Sequence, residues 1–253
     1  MYFKNNDLSF YYDKEGNGKS NVIILPGWGN TRKTFQFLIN NIKAIATVYS
    51  LDYPGFGNSN FSNKDLTIYD YTLLVKDFIE TEEIDNPIII GHSFGGRIII
   101  TLLGYYHYKC DKIILIDSAG IKDNIKLKQK IKTTTYKLLK KVSGILPKNI
   151  KTKYLEKLFN YFGSTDYKHL PSNMMQTFSN IVKEDLKPYL KDIEASTLII
   201  WGEEDKVTPL SDGKKIESLI PDSALITVKN TGHFPYLDKP NYIWQIILAF
   251  ISS

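Results

Sequence analysis

The chain has 253 residues, 43% hydrophobic and 23% charged, with a formal net charge of +5, values ordinary for one large α/β domain or two small ones with a substantial core. Its single cysteine, Cys110, excludes an internal disulfide and a cysteine metal cluster, and its place before an apolar strand marks it as a structural thiol. Residues Met1 to Asp7 turn polar at once, without the basic and then apolar segments of an export signal, so a cytoplasmic protein is expected.

In chain order, Leu8 to Tyr12 with the Gly16/Gly18 turn predicts an N-terminal hairpin. Val22-Ile23-Ile24-Leu25 is a continuous apolar run, as in a strand buried on both faces, and it breaks at Pro26-Gly27-Trp28-Gly29. Thr31 then opens a helix to about Ile42, and Ala46 to Leu51 is the next strand. A helix follows from about Ile68 to Glu80. Ile88-Ile89-Ile90 is a strand, Ile98 to Tyr106 is helical, and Lys112 to Asp117 is another buried strand. This β-α-β alternation predicts a mostly parallel sheet with helices on both faces.

The alternation then stops. From about Ile121 to Tyr189 the chain shows helical periodicity only, and strands resume at Thr197 to Trp201. A helix Leu210 to Leu219, a strand Ala224 to Val228 and a helix Tyr242 to Ile251 complete the pattern. The expected organisation is a core of residues 1–120 and 190–253 interrupted by a helical cap, 121–189. The insert leaves the core at a strand's C-terminal end, where open α/β sheets bind ligands. Residues 121–191 hold 16 lysines against five carboxylates, so the remainder of the chain is net acidic. Those lysines, Lys126 to Lys141 among them, read as a solvated helix face or, more sharply, as attraction to an anionic or lipid-like acyl substrate. No nucleic-acid motif accompanies them. Ile88 to Tyr106 is long enough to span a bilayer, but Gly91 to Arg97 interrupts it with polar groups, so no membrane span is expected.

The chemistry centres on Gly91-His92-Ser93-Phe94-Gly95, between an apolar strand and a helix-compatible run. A nucleophile elbow needs this order: the serine sits on a sharp strand-to-helix turn, and close packing there leaves no room for a Cβ two residues either side. A serine hydroxyl is a weak nucleophile and needs a base that is oriented by an acid. Of four histidines, His92 alternates away from Ser93 along its strand, His107 ends a helix and His169 lies in the insert. His233 follows a strand, on the edge expected for Ser93, and is the candidate base. The acid should follow a strand on that edge too. Asp205 is chosen over Glu203, Glu204 and Asp117, the last of which also ends a strand there. Two backbone N–H groups are needed for a developing oxyanion, and those of Phe94 and Trp28 are the candidates.

With these residues the chain resembles the α/β-hydrolase fold superfamily, at Leu25–Gly29, Asp52–Ser59, Gly91–Gly96, Ile116–Gly120, Trp201–Pro209 and Gly232–Pro240. It is similar to the branch of small bacterial serine esterases and carbon–carbon bond hydrolases with a helical cap after the sixth strand. The resemblance implies a mostly parallel eight-stranded sheet flanked by helices. It also implies cleavage of a small or medium acyl ester through an acyl-enzyme on Ser93, without cofactor or metal. Thioester or carbon–carbon cleavage on the same triad, or a non-catalytic ligand receptor, are the alternatives. Pro26 departs from the histidine that many relatives carry there, which leaves the backbone donors intact. A dinucleotide site is the remaining reading, since Asp52 follows Gly27-x-Gly29 at a suitable interval, but Arg32 stands where its third glycine is required.

Overall fold

The computed structural model describes residues 1–122 and 171–253. Two units emerge from the backbone packing: Met1–Ile121 with Asn180–Ser253, and Lys122–Ser179. In the second unit, a 3-10 turn, Ser172–Met174, leads into the helix Met175–Lys183, which runs on into the first. The lysine run Lys126 to Lys141, the insert's apolar periodicity and His169 lie outside the described residues.

The first unit holds one eight-stranded sheet. Its strands are β1 (Tyr2–Asn5), β2 (Leu8–Glu15), β3 (Ser20–Leu25), β4 (Ala46–Asp52), β5 (Ile88–His92), β6 (Lys112–Ile116), β7 (Ser196–Gly202) and β8 (Ser223–Val228), in the order β1-β2-β4-β3-β5-β6-β7-β8. Only β1/β2 and β2/β4 are antiparallel. From β4 to β8 every pair is parallel, so the chain leaves β5, β6, β7 and β8 at one edge.

The isoleucine runs are buried on both faces because the sheet is covered on both. Ile23, Leu25, Ile89, Ile113, Leu115, Ile199 and Trp201 enter one core layer, with the helices α2 (Ile68–Thr81) and α3 (Phe94–Ile100). Their alternates Val22, Ile24, Ile90, Ile114, Ile116, Leu198 and Ile200 enter the other, with α1 (Gln36–Ile42) and the C-terminal helix Pro240–Ser252. The period-2 alternation of a strand assigns each residue to its layer.

Three local expectations change. The hairpin is β1/β2, turning at Asn6 with φ 52°, and the Gly16/Gly18 segment instead carries the chain past β4. A Cβ at either glycine would lie 2.3 Å from a backbone oxygen of Ile45 or Ala46, so the crossing requires both to be glycine. The predicted helix from Thr31 opens as a 3-10 turn, Arg32–Phe35, before α1. The predicted helix Ile98 to Tyr106 begins earlier, at Phe94, and widens to a π-helix over Thr101–Tyr105. Gly104 in that widened turn lies against Tyr189, where a Cβ would meet the carbonyl at 2.2 Å. No helix among the described residues is long and apolar enough to cross a membrane.

Residues 180–189, read from the sequence as the insert's last stretch, belong to the first unit. Ile181 and Leu186 are buried there, the Leu186 N–H donates to the Gly120 carbonyl at 2.9 Å, and the buried Arg97 guanidinium donates to the carbonyls of Ile181 and Glu184 at 3.1 Å. Helical periodicity reveals an apolar face but not the body it packs on.

Helix α2 begins with a capping box. The Asp70 N–H donates to Thr67 Oγ1 at 3.3 Å, and the Thr67 N–H donates back to Asp70 Oδ2 at 2.8 Å. Thr67→Ala should therefore cost about 1 kcal/mol, read as a Tm lower by roughly 2–4 °C in thermal unfolding. An unchanged Tm would show that the cap contributes nothing.

Candidate active site

Ser93 occupies the turn between β5 and α3 with φ 50° and ψ −103°, a conformation that costs a non-glycine residue about 1–3 kcal/mol. The surroundings over-determine it. Its N–H donates to Ile116 at 3.1 Å, and its carbonyl accepts from Gly96, Arg97 and Ala119 at 3.1, 3.3 and 3.0 Å. The glycines are sterically required: a Cβ at Gly91 would lie 2.7 Å from the Gly95 backbone, and one at Gly95 would lie 2.0 Å from the Leu25 carbonyl. Ser93 itself remains half-buried.

Across the same edge, the structure brings Asp205 and His233 together. Asp205 Oδ2 lies 2.7 Å from His233 Nδ1, which makes Nδ1 the protonated nitrogen and leaves the lone pair on Nε2. The Thr208 hydroxyl also donates to Oδ2 at 2.7 Å, while Oδ1 accepts the N–H groups of Val207 and Thr208 at 2.7 and 3.1 Å. Burial alone would raise this carboxyl, but the hydrogen bonds from His233 and Thr208 outweigh it and hold Asp205 at about 2.

Asp117, the sequence competitor for the acid, lies beside this pair in the opposite protonation state. It is fully buried, with Oδ1 accepting the Gly202 N–H at 3.0 Å. Burial pushes its carboxyl up to about 9; the Gly202 N–H opposes this and the Asp205 carboxylate reinforces it. Ligand atoms of Asp117, Asp205 and His233 fall within 4.8 Å of one another. Within this group, Asp205 and His233 are already joined by their hydrogen bond. Glu203 and Glu204 are exposed on the same loop.

Trp28 and Phe94 also meet, through perpendicular rings with centroids 5.2 Å apart. Trp28 sits in a turn closed by the Asn30 N–H on the Gly27 carbonyl at 3.1 Å, and Gly29 supplies a φ of 74°. Phe94 opens α3, so its N–H has no acceptor within the helix. The loop is anchored by Arg32, whose guanidinium bridges Asp13 and Asp52 and stacks 4.4 Å from the Tyr11 ring centroid. Asp52 also accepts the backbone N–H groups of Arg32 and Asn58 at 2.9 and 3.0 Å. The acid that a dinucleotide fold would direct to a ribose is thus committed to holding two loops.

One residue dismissed from the sequence lies among these groups. His92 is fully buried, with Nε2 2.7 Å from the backbone oxygen of His233. Alternation along β5 does turn it from Ser93, but the loop after β8 passes over that other face. The cue was the histidine inside the serine motif, beside Ser93 itself. Cys110 lies at the opposite end of the strands, in the wall of a cavity of about 620 Å³ with Asn86, Asp111 and Ala195. Burial raises its thiol to about 12, consistent with a structural role.

The family model described as alpha/beta hydrolase fold matches residues 21–240. A 2-hydroxy-6-oxononadienedioate/2-hydroxy-6-oxononatrienedioate hydrolase from Pseudomonas putida is 24% identical, over 97% of this chain and 93% of its own. A pimeloyl-[acyl-carrier protein] methyl ester esterase from Wigglesworthia glossinidia brevipalpis is 26% identical, over 96% of this chain and 98% of its own. The crystal structure of a hydrolase from Pseudomonas aeruginosa PA01 superposes with a TM-score of 0.77 at 17% identity, covering 100% of this chain and 98% of that one.

The neutral state of Asp117 has a measurable consequence. Its folded value of about 9 stands above the usual carboxyl value, so the native state holds a proton that the unfolded chain releases. Its contribution to stability therefore falls as pH rises from about 4 to 9. Asp117→Asn, neutral at every pH, should therefore gain on the wild type across this window, its Tm advantage widening by several degrees or more between pH 5 and pH 8.5, at roughly 2–4 °C per kcal/mol. A gap that stays constant or narrows with pH would refute the assignment.

Proposed function

The chain belongs to the alpha/beta hydrolase fold family, and from that premise we propose that it is a serine hydrolase cleaving carboxylic esters of small or medium acyl groups through an acyl-enzyme on Ser93. The observation that carries the proposal is the 2.7 Å hydrogen bond from His233 to a charged Asp205, on the strand edge that also presents the strained Ser93. In this mechanism Ser93 Oγ attacks the acyl carbonyl while His233 Nε2 takes its proton. The resulting imidazolium is stabilised by Asp205, which keeps Nδ1–H oriented. The backbone N–H groups of Phe94 and Trp28 hold the tetrahedral oxyanion. His233 returns the proton to the departing alkoxide. Water, deprotonated in turn by His233, then attacks the acyl-enzyme, and His233 returns that proton to Ser93 Oγ as the acid is freed.

The insert leaves the core directly after β6, on the edge that carries Ser93, and this supports its proposed role as a helical cap. A second reading is carbon–carbon bond hydrolysis on the same triad, supported by the similarity to the Pseudomonas putida hydrolase.

Ser93→Ala should lower kcat by on the order of 10⁶, and Asp205→Asn by about 10⁴. A fluorophosphonate should label the wild type at Ser93 and leave Ser93→Ala unlabelled. Wild-type turnover by purified Ser93→Ala would refute the mechanism, and a chain inert to the fluorophosphonate would be a receptor rather than an enzyme. Graded p-nitrophenyl esters set beside a vinylogous diketone separate the two hydrolytic readings.

A further inference from the structure

We propose that His92 is a positioning residue, its buried ring holding the base His233 and the oxyanion loop in register with the nucleophile it precedes. The inference rests on the serine-hydrolase reading and deepens it.

Three contacts carry the argument. His92 directly precedes Ser93, at the end of β5, and is fully buried. Its Nε2 lies 2.7 Å from the carbonyl oxygen of His233. A carbonyl only accepts, so Nε2 carries the hydrogen and the ring is the Nε2–H tautomer. The other side of the ring faces the oxyanion loop: a Cβ at Gly27 would stand 2.6 Å from Nδ1 and 3.1 Å from Cε1. One rigid ring therefore spaces the elbow, the backbone of the base and the glycine that precedes Trp28.

The ring is itself confined. Its centroid lies 4.8 Å from that of His233, 4.9 Å from Phe234, 5.1 Å from Tyr236 and 6.5 Å from Phe35. The titratable groups facing it are the His233 and Tyr236 rings, with the Asp205 carboxylate beyond His233. Burial first, and His233 second, push the His92 imidazole down to about 3, so it stays neutral and keeps one tautomer at working pH. A charged ring would place a second N–H against Gly27.

An N–H···O=C bond to the base's own backbone bears on where the imidazole Nε2 of His233 stands, rather than on substrate affinity. Displacing a catalytic group by about 1 Å costs on the order of 10² in rate. The expected signature is a loss in kcat with little change in KM.

The test uses His92→Leu, His92→Gln and His92→Asn with a p-nitrophenyl ester that the wild type turns over. Folding is followed by circular dichroism, and the rate of fluorophosphonate labelling of Ser93 is measured in parallel. His92→Leu, which lacks the donor, should lower kcat and labelling rate by roughly 10–100-fold, with KM within about threefold. His92→Gln, whose amide reaches as far as Nε2, should recover most of that loss. The shorter amide of His92→Asn should not. A folded His92→Leu with wild-type kcat would overturn the proposal. If His92→Leu does not fold, equal rates for the Gln and Asn variants would overturn it by themselves. Failure of the wild type to react with fluorophosphonate would instead refute the serine-hydrolase reading, so the two failures are distinct.

Discussion

The turn at Ser93 is the constraint on which the rest of the site depends. A non-glycine residue at φ 50° and ψ −103° is held there only because its backbone is bonded on every side and because α3 packs directly onto β3. That packing removes the space for side chains at Gly91 and Gly95. It also brings Gly96 so close to Ser118 that a Cβ would lie 1.9 Å from its hydroxyl. The strain at one residue is thus offset by close contact among elements far apart in sequence.

Environment then divides similar groups into different states. Asp205 and Asp117 are both buried carboxyls on one strand edge. Asp205 gathers four hydrogen-bond donors and stays charged. Asp117 accepts from the Gly202 N–H alone among the described residues, beside another carboxylate, and holds its proton. The two histidines differ in burial and in partner. His233 is half-buried and paired with a carboxylate; His92 is sealed among rings and paired with a carbonyl, so it stays neutral. For Asp205, Asp117 and His92 desolvation opposes charge, and only at Asp205 do the hydrogen-bond donors outweigh it.

Much of this was legible in the chain. The isoleucine runs of β3, β5 and β6, each ending in a glycine or an aspartate turn, marked parallel strands, and the motif around Ser93 marked the elbow. Differences from that reading lie where local pattern underdetermines geometry. Gly16 and Gly18 resemble a hairpin turn in any local window, yet they are required by β4, which follows them by some thirty residues. The π-turn at Thr101–Tyr105 answers to Tyr189, and residues 180–189 answer to Arg97 and Gly120; neither partner is near in sequence.

Taken alone, the sequence determined the strand-to-helix alternation, the serine turn and the short set of groups able to serve as base and acid. Those follow from side-chain periodicity and glycine sterics, which act within a few residues. Only the tertiary structure decided which carboxyl meets His233, which one keeps its proton and what His92 touches. Those outcomes depend on the parallel register from β5 to β8, which places the ends of four strands side by side, and on the desolvation that this packing imposes.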